Sequence, residues 1–347
     1  MKRLHTVLFA LGLAFLVFLI WKTGIRQLWQ QLRLLGWGLI PIVLAEGVAE
    51  VFHAISWRYC FSGPHRRISF VNLIRIHFAG NAISFLTPTA SLAGEVTKAA
   101  LLAGNRHGPE AVSAVMIGKL SCGLGHLSFV AIGSIILLPV LQLPPALRAP
   151  LLLGSATLAA GIVIFLLLQK RGKLGGFVRW LVARNIFGKS LEGFAVAMER
   201  VDETLRSFHR ERPWDLARSV CWHLVGFAVG IFSTWYFLFL LGERHGFMVA
   251  ARIWVLVLWF DLVTFAVPLN LGVLEGGRFV AFRAFGFGAL PGLAFGVVTR
   301  VAQLFWAGFG LTNYALLIAR TSAAVEEQPA RAIHEANLPL AMKETQT

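Results

Sequence analysis

The chain has 347 residues, of which 57% are hydrophobic and 14% charged, with a net charge of +15. A soluble domain carries about 25% charged residues, so this composition excludes a soluble globular protein and indicates an integral membrane protein. The positive charge does not indicate nucleic-acid binding, because the basic residues cluster in loops between apolar runs rather than covering a soluble surface.

In chain order, the first apolar run covers 4–21. It follows a basic Met1–His5 segment, and no small-x-small cleavage site follows Trp21, so it reads as an uncleaved first helix. The second run, 37–61, holds Glu46, Glu50 and His53 at spacings that put them on one helix face. Such a face fits a water-lined or proton-titrating cavity. A metal site would need a fourth ligand that the pattern does not supply. Region 70–103 is apolar but broken in the middle by FLTPTASLAGEVTK over 85–98. A third run covers 111–139 and carries Lys119 early on, and a fourth covers 149–169. Between Lys170 and Arg212 lie ten Lys or Arg against five acids, which the positive-inside rule places in the cytoplasm. Within it Leu191, Phe194, Met198, Val201, Leu205 and Phe208 recur every three or four residues, predicting an amphipathic cytoplasmic helix over 188–212. A fifth run covers 213–241. A second broken region follows at 250–287, interrupted by FAVPLNLGVLEGGR over 265–278, and a last run covers 291–320. Residues 321–347 are polar with two prolines and are expected to be flexible. Cys60, Cys122 and Cys221 have neither disulfide nor zinc spacing, and His77, His126 and His223 read as satisfied core residues rather than ligands.

The two broken segments match at an offset of 180: Phe85, Pro88, Glu95 and Lys98 against Phe265, Pro268, Glu275 and Arg278, with Asn81 against Asp261 and Ser84 against Thr264. Lys119 and Arg300 follow the two glutamates by 24 and 25 residues. Each proline disfavours helix in the residue before it and removes a backbone donor. Each segment should therefore be helix, turn, helix: a re-entrant hairpin, because irregular backbone survives at membrane depth only when protein or water surrounds it. The expected fold is an all-α polytopic membrane protein with six full spans and two re-entrant helical hairpins. Residues 1–140 form the first repeat and 141–320 the second, and three full spans per unit make the repeat inverted. Positive-inside counting puts both termini in the cytoplasm, although Lys22, Arg26 and Arg33 then lie outside.

The second arm of each hairpin begins just past its proline, so its free N–H groups sit near the tip, where an anion can bind. Glu95 with Lys98, and Glu275 with Arg278, are three apart and can neutralise each other in an empty site. The expected substrate-binding residues are Glu95, Lys98, Glu275, Arg278, Lys119, Arg300, Asp261, Glu46 and Glu50, with breaks at Pro88, Gly94, Pro268 and Gly272. No catalytic residue, cofactor or metal is expected. The chain contains no P-loop, dinucleotide fingerprint, nucleophile elbow or HExxH.

TPTASLAGEVTKAALL and VPLNLGVLEGGRFVAFRAFG resemble the two signatures of the flippase-like membrane domain of lysylphosphatidylglycerol synthases, a family also found as stand-alone proteins. The resemblance covers about 5–320 and carries over Pro88, Gly94, Glu95, Lys98, Pro268, Gly272, Glu275 and Arg300. A stand-alone branch associated with hopanoid-lipid gene clusters is similar in length and in the TPTAS motif. The resemblance implies movement of a charged, anionic or aminoacylated, phospholipid between leaflets of a bacterial inner membrane. Only 27 residues follow Arg320, so no aminoacyl-transferase domain is expected, and the chain is expected not to be an enzyme. Membrane lipids are the expected partners, with lipid-biosynthesis enzymes as the class of protein partner. Two alternatives remain: an intramembrane transferase on a lipid-linked substrate using Glu50, His53, Glu95 and Glu275, and a non-transporting subunit of a lipid-synthesis complex.

Overall fold

The structure is a computed structural model that describes residues 35–61, 68–87, 92–103, 108–137, 145–170, 214–243, 246–264 and 273–336, together with a few isolated positions. The expected first span, the 188–212 amphipathic helix apart from a few positions, and the breaks at Pro88, Pro268 and Gly272 lie outside the described residues. The described residues are helical throughout, without strands. In chain order the helices are α1 (Leu39–Arg58), α2 (Phe70–Leu86), α3 (Leu92–Ala103), α4 (Gly108–Leu137), α5 (Pro145–Lys170), α6 (Asp215–Leu240), α7 (Phe247–Thr264), α8 (Val273–Ala284) and α9 (Ala289–Ala336).

Among the described residues four stretches are long and apolar enough to cross a bilayer: Gly36–Arg58, Ala111–Ile136, Asp215–Leu240 and Leu290–Ala319. They coincide with four of the six expected spans. The expected 149–169 span falls on α5, whose described apolar part is Leu152–Ile164. At the other end, α9 continues to Ala336, into the segment expected to be flexible. That segment is rich in Ala and Glu, whose helix propensity lets the last span extend past the apolar stretch.

Local chemistry sets the helix ends that frame the first break. Ser69 caps α2, its hydroxyl accepting from the Asn72 backbone N–H at 3.3 Å. Thr87, the residue before Pro88, leaves the helix at φ −116° and ψ 140°, where the proline ring pushes its predecessor. Its hydroxyl donates back to the Ile83 carbonyl at 2.6 Å, satisfying one terminal acceptor. In the second half α8 closes on Gly286, whose φ of +84° is left-handed, and Phe287 N–H returns to the Phe282 carbonyl at 3.2 Å.

Both broken regions fold as antiparallel helix pairs. In the first, Gly94 lies directly against Gly80 and Ser84, so closely that a Cβ on Gly94 would collide with the Ser84 hydroxyl and the Gly80 carbonyl. In the second, Gly277 lies against Phe260 and Arg278 against Asp261. At about 1.5 Å per residue, the 17 residues of α2 and the 18 of α7 span about 25 and 27 Å. The 12 residues of α3 and of α8 span only about 18 Å.

Around these hairpins the helix contacts come in matched pairs. α1 and α6, the corresponding second spans, pack on each other: Gly38 meets Leu240, Phe52 stacks on Trp222 at 5.6 Å, and Ser56 meets Ser219. Numbers rise along α1 as they fall along α6, so these equivalent helices run antiparallel. Each third span packs on the second span of the other half. α4 meets α6 where Gly125 lies against His223, and α9 meets α1 where Trp306 Nε1 donates to the Val43 carbonyl at 2.7 Å. The first arm of each hairpin packs on the third span of the other half. Phe78 of α2 stacks on Trp306 of α9 at 4.9 Å, and Trp259 of α7 donates to Ser134 of α4 at 3.0 Å. Second arms stay at home: α3 packs on α4 and α8 on α9. A pseudo-two-fold relation between the halves accounts for every one of these pairs.

Candidate functional site

The polar side chains of the hairpins and of α1 converge on the interior between the two halves. On α1, Glu46, Glu50 and His53 share the face directed at α2 and α6. Glu50 is the acceptor of a three-residue cluster: Asn81 donates from Nδ2 at 2.6 Å, and His77 Nε2 lies 2.8 Å away. Asn81 and His77 are one turn apart on α2 and themselves 3.1 Å apart. An ionised carboxylate within an apolar span is costly unless hydrogen bonds replace its water; two donors from α2 supply them here.

The first hairpin's second arm contributes Glu95 and Lys98, which pair at 3.3 Å as their i, i+3 spacing predicts. Lys119 of α4 reaches the same carboxylate at 3.6 Å. Lys98 is buried, crossed closely by Gly80, and its ammonium lies 5.7 Å from the Trp57 ring centroid. Trp57 is anchored by donating Nε1–H to the Ala114 carbonyl at 3.1 Å, and its ring centroid is 6.1 Å from that of His77. The Glu95 and Glu50 clusters are thus joined through Trp57.

The second hairpin is not a copy in detail. Arg278 is 3% exposed and has Asp261 at 3.8 Å across the hairpin. The side chain of its expected partner, Glu275, lies outside the described residues, although its backbone is in α8. Asp261, expected among the substrate-binding residues, lies against Arg278, because the packing of α7 on α8 sets position 261 opposite position 278. Arg278 also donates to the Leu274 carbonyl at 3.1 Å. Lys119 and Arg300, matched by position, differ in environment: the Lys119 side chain is 53% exposed, whereas Arg300 is buried with its guanidinium 5.8 Å from the Phe85 ring centroid. Phe85 lies at the end of α2, so Arg300 from the second half sits at the tip of the first hairpin.

Glu46 links the two halves electrostatically, lying in the field of Glu50 on one side and of Arg278 and Asp261 on the other. Asp261 in turn feels His126 and Arg300. Side-chain exposures of Glu50, Asp261 and Glu95 are 25%, 23% and 17%, against 8% for Lys98, 3% for Arg278 and 53% for Lys119. The site is a chain of acid–base pairs in which Lys98 and Arg278 are packed more tightly than the acids they face.

The histidines have specific partners. His77, expected to be a satisfied core residue, is buried against Glu50 at 2.8 Å. His223 meets His53 with Nδ1 atoms 2.7 Å apart and ring centroids 4.9 Å apart. His126 lies 3.2 Å from the Leu258 carbonyl of α7 and is stacked on Phe227 of α6. The signal available in the sequence was the presence of three histidines at membrane depth; their partners are 27 and 170 residues away. Among the described residues no group of three or more His, Cys, Asp or Glu side chains is arranged to hold a metal ion.

No curated protein and no solved structure matches this chain. A family model does: the lysylphosphatidylglycerol synthase transmembrane region matches residues 6–310, which contain both hairpins and every described residue of the site. The chain belongs to the lysylphosphatidylglycerol synthase transmembrane-region family, and its function is tied to membrane lipid.

Proposed function

We propose that this chain is a lipid carrier of the bacterial inner membrane that moves a lipid with a charged headgroup between leaflets. The headgroup occupies the polar interior between two re-entrant hairpins, and the acyl chains remain in the bilayer. The observation that carries this reading is the set of paired charges at membrane depth, Glu50 with His77, Glu95 with Lys98 and Lys119, and Asp261 with Arg278, drawn from both halves. Charges inside a bilayer are expensive and mark ion or substrate pathways. The short arms support re-entrance: about 18 Å of α3 or α8 falls well short of a hydrocarbon core of about 30 Å.

The carrier works by exchange. In the empty site each buried cation is neutralised by a carboxylate; an arriving phosphate or carboxylate headgroup replaces that carboxylate as partner, and an amine on the headgroup takes the displaced acid. Charge is never left bare in the apolar interior, which lowers the cost of crossing. On this reading the chain moves lipid and does not synthesise it.

The test is transbilayer movement of labelled anionic, zwitterionic and aminoacylated phospholipids in proteoliposomes, with hopanoid included in one set of vesicles. Wild type is expected to accelerate movement of at least one class, and Glu95→Gln, Glu275→Gln and the double substitution to abolish it while the protein remains monodisperse. Movement of no lipid by wild type would refute the carrier.

A further inference from the structure

The contact between α1 and α6 contains a second polar feature that the exchange of charges does not use. At one end of the bundle Asp215 is paired with Arg212 at 3.6 Å and with the exposed Arg218 at 3.1 Å, and Arg212 donates to the Phe61 carbonyl at 2.7 Å. One turn inward on α6, the buried Ser219 hydroxyl is a hub. It lies 3.3 Å from Cys60 Sγ, 2.8 Å from the Ser56 hydroxyl and 2.5 Å from the Ser121 hydroxyl of α4. One further turn brings His223 against His53, and three residues back along α1 from His53 is Glu50 with His77 and Asn81. Asp215, Ser219 and His223 are each four apart on α6, while Glu50, His53, Ser56 and Cys60 follow at three or four on α1. Both rows therefore occupy one antiparallel interface.

Packing alone does not account for this line. A helix interface in a membrane needs small residues and an occasional hydrogen bond; an imidazole pair sharing one proton is a more specialised arrangement. His223 Nε2 and His77 Nδ1 are moreover buried without a hydrogen-bond partner among the described residues, and the two residues are 3% and 6% exposed. A buried ring nitrogen without a partner calls for ordered water or a functional explanation. These two nitrogens flank the interface, one near each end of the histidine step.

We propose that this interface is a proton relay, running from the Asp215–Cys60 end of the bundle through the Ser219 hydroxyls and the His223–His53 pair to Glu50. A proton taken up at His223 Nε2, through a water that bridges one turn to the serine hydroxyls, is matched by release of the Nδ1 proton of His223 to Nδ1 of His53. His53 gives up its own second ring proton, and the Glu50 carboxylate accepts it. Each ring begins and ends neutral with one proton, and Glu50 gains one. The groups facing the histidine pair are Glu50 from α1, His77 from α2, Lys98 from α3, and Lys119 and His126 from α4. Four of these, Glu50, His77, Lys98 and Lys119, are members of the proposed lipid site, so protonation of Glu50 releases its hold on His77 and Asn81 where the headgroup would bind. Coupling to lipid movement rests on the proposed function; the relay itself does not.

The experiment therefore reads the two separately in the same vesicles. Full-length chain is placed in vesicles of phosphatidylethanolamine and phosphatidylglycerol with a pH-sensitive dye inside, and proton entry is driven by a potassium–valinomycin potential. Labelled lipid movement is followed in parallel, with and without the potential. Wild type is expected to admit protons faster than empty vesicles, and His53→Gln and His223→Gln to return entry to the empty-vesicle level. Ser219→Ala, which deletes one oxygen and leaves both rings in place, is expected to do the same and serves if the histidine variants do not fold. Wild-type entry equal to that of empty vesicles, or folded variants that conduct like wild type, overturns the relay. Lipid movement without proton entry refutes the relay and keeps the carrier; histidine-dependent proton entry without lipid movement keeps the relay and refutes the carrier.

Discussion

At the residue scale the decisive property is that several polar groups inside the bundle have partners on another helix. Glu50 illustrates the energetics, because Asn81 and His77 are oriented by their contacts with its carboxylate. Removing the acceptor leaves two buried donors unanswered at a cost of about 1–3 kcal/mol each. Glu50→Ala is therefore expected to destabilise the protein by about 3 kcal/mol, and Glu50→Gln, which keeps an oxygen in place, by about 1 kcal/mol. Unfolding in detergent micelles measures both. Equal stability of the two variants would mean that the cluster is bridged by water rather than by direct bonds. The Ser219 hydroxyl belongs to the same class of residue, since one oxygen meets Ser56 of α1, Cys60 just past its end and Ser121 of α4.

At the element scale the hairpins depend on how closely their arms approach. Gly94 touches Gly80 and Ser84 without room for a methyl group, whereas a methyl added at Gly123 of α4 would meet nothing within 4 Å. Overpacking a tight contact costs about 1–3 kcal/mol. Gly94→Ala is thus expected to lower stability by about that amount and to spread the first hairpin, while Gly123→Ala changes stability by no more than about 0.5 kcal/mol. Comparison of the two melting curves checks this, and no loss at Gly94→Ala would show that the tight contact yields to the added methyl group. The same close approach carries Lys98 past Gly80 toward Trp57, so a change at Gly94 also disturbs the Glu95–Lys98 pair, whose cation lies four residues further along the face.

For the whole molecule the organising relation is the matching of the two halves. Antiparallel packing of α1 on α6 and the exchange of hairpin arms between third spans place one hairpin from each half against the same interior. We propose that the halves are inverted, so that the mouths of the two hairpins open on opposite sides of the membrane. In a variant with Cys60, Cys122 and Cys221 replaced, Ser69→Cys and Phe247→Cys are expected to react with an impermeant maleimide from opposite faces. Leu92→Cys, next to the first break, is expected to stay unreactive from the face opposite Ser69. Labelling of Ser69 and Phe247 positions from one face would exclude inversion, and strong labelling of Leu92→Cys from the far face would mean that the first hairpin crosses completely.

Part of this architecture follows from sequence because its causes are local. Four of the expected spans fall where apolar length alone puts them, the break before Pro88 follows from the ring of the next residue, and the Glu95–Lys98 pair follows from helical spacing. Membership of the lysylphosphatidylglycerol synthase transmembrane family was legible in the two motifs for the same reason, each being a short continuous stretch. What only the tertiary structure decided is who faces whom. The His53–His223 pair, the Glu50–His77–Asn81 cluster, the Ser56–Ser121–Ser219 hub and the assignment of Asp261 to Arg278 join residues on different helices, and a helix's own spacing is silent about its neighbour. A histidine in an apolar run is a core filler or half of a proton-sharing pair according to what packs opposite it, and that is fixed by the fold of both halves together.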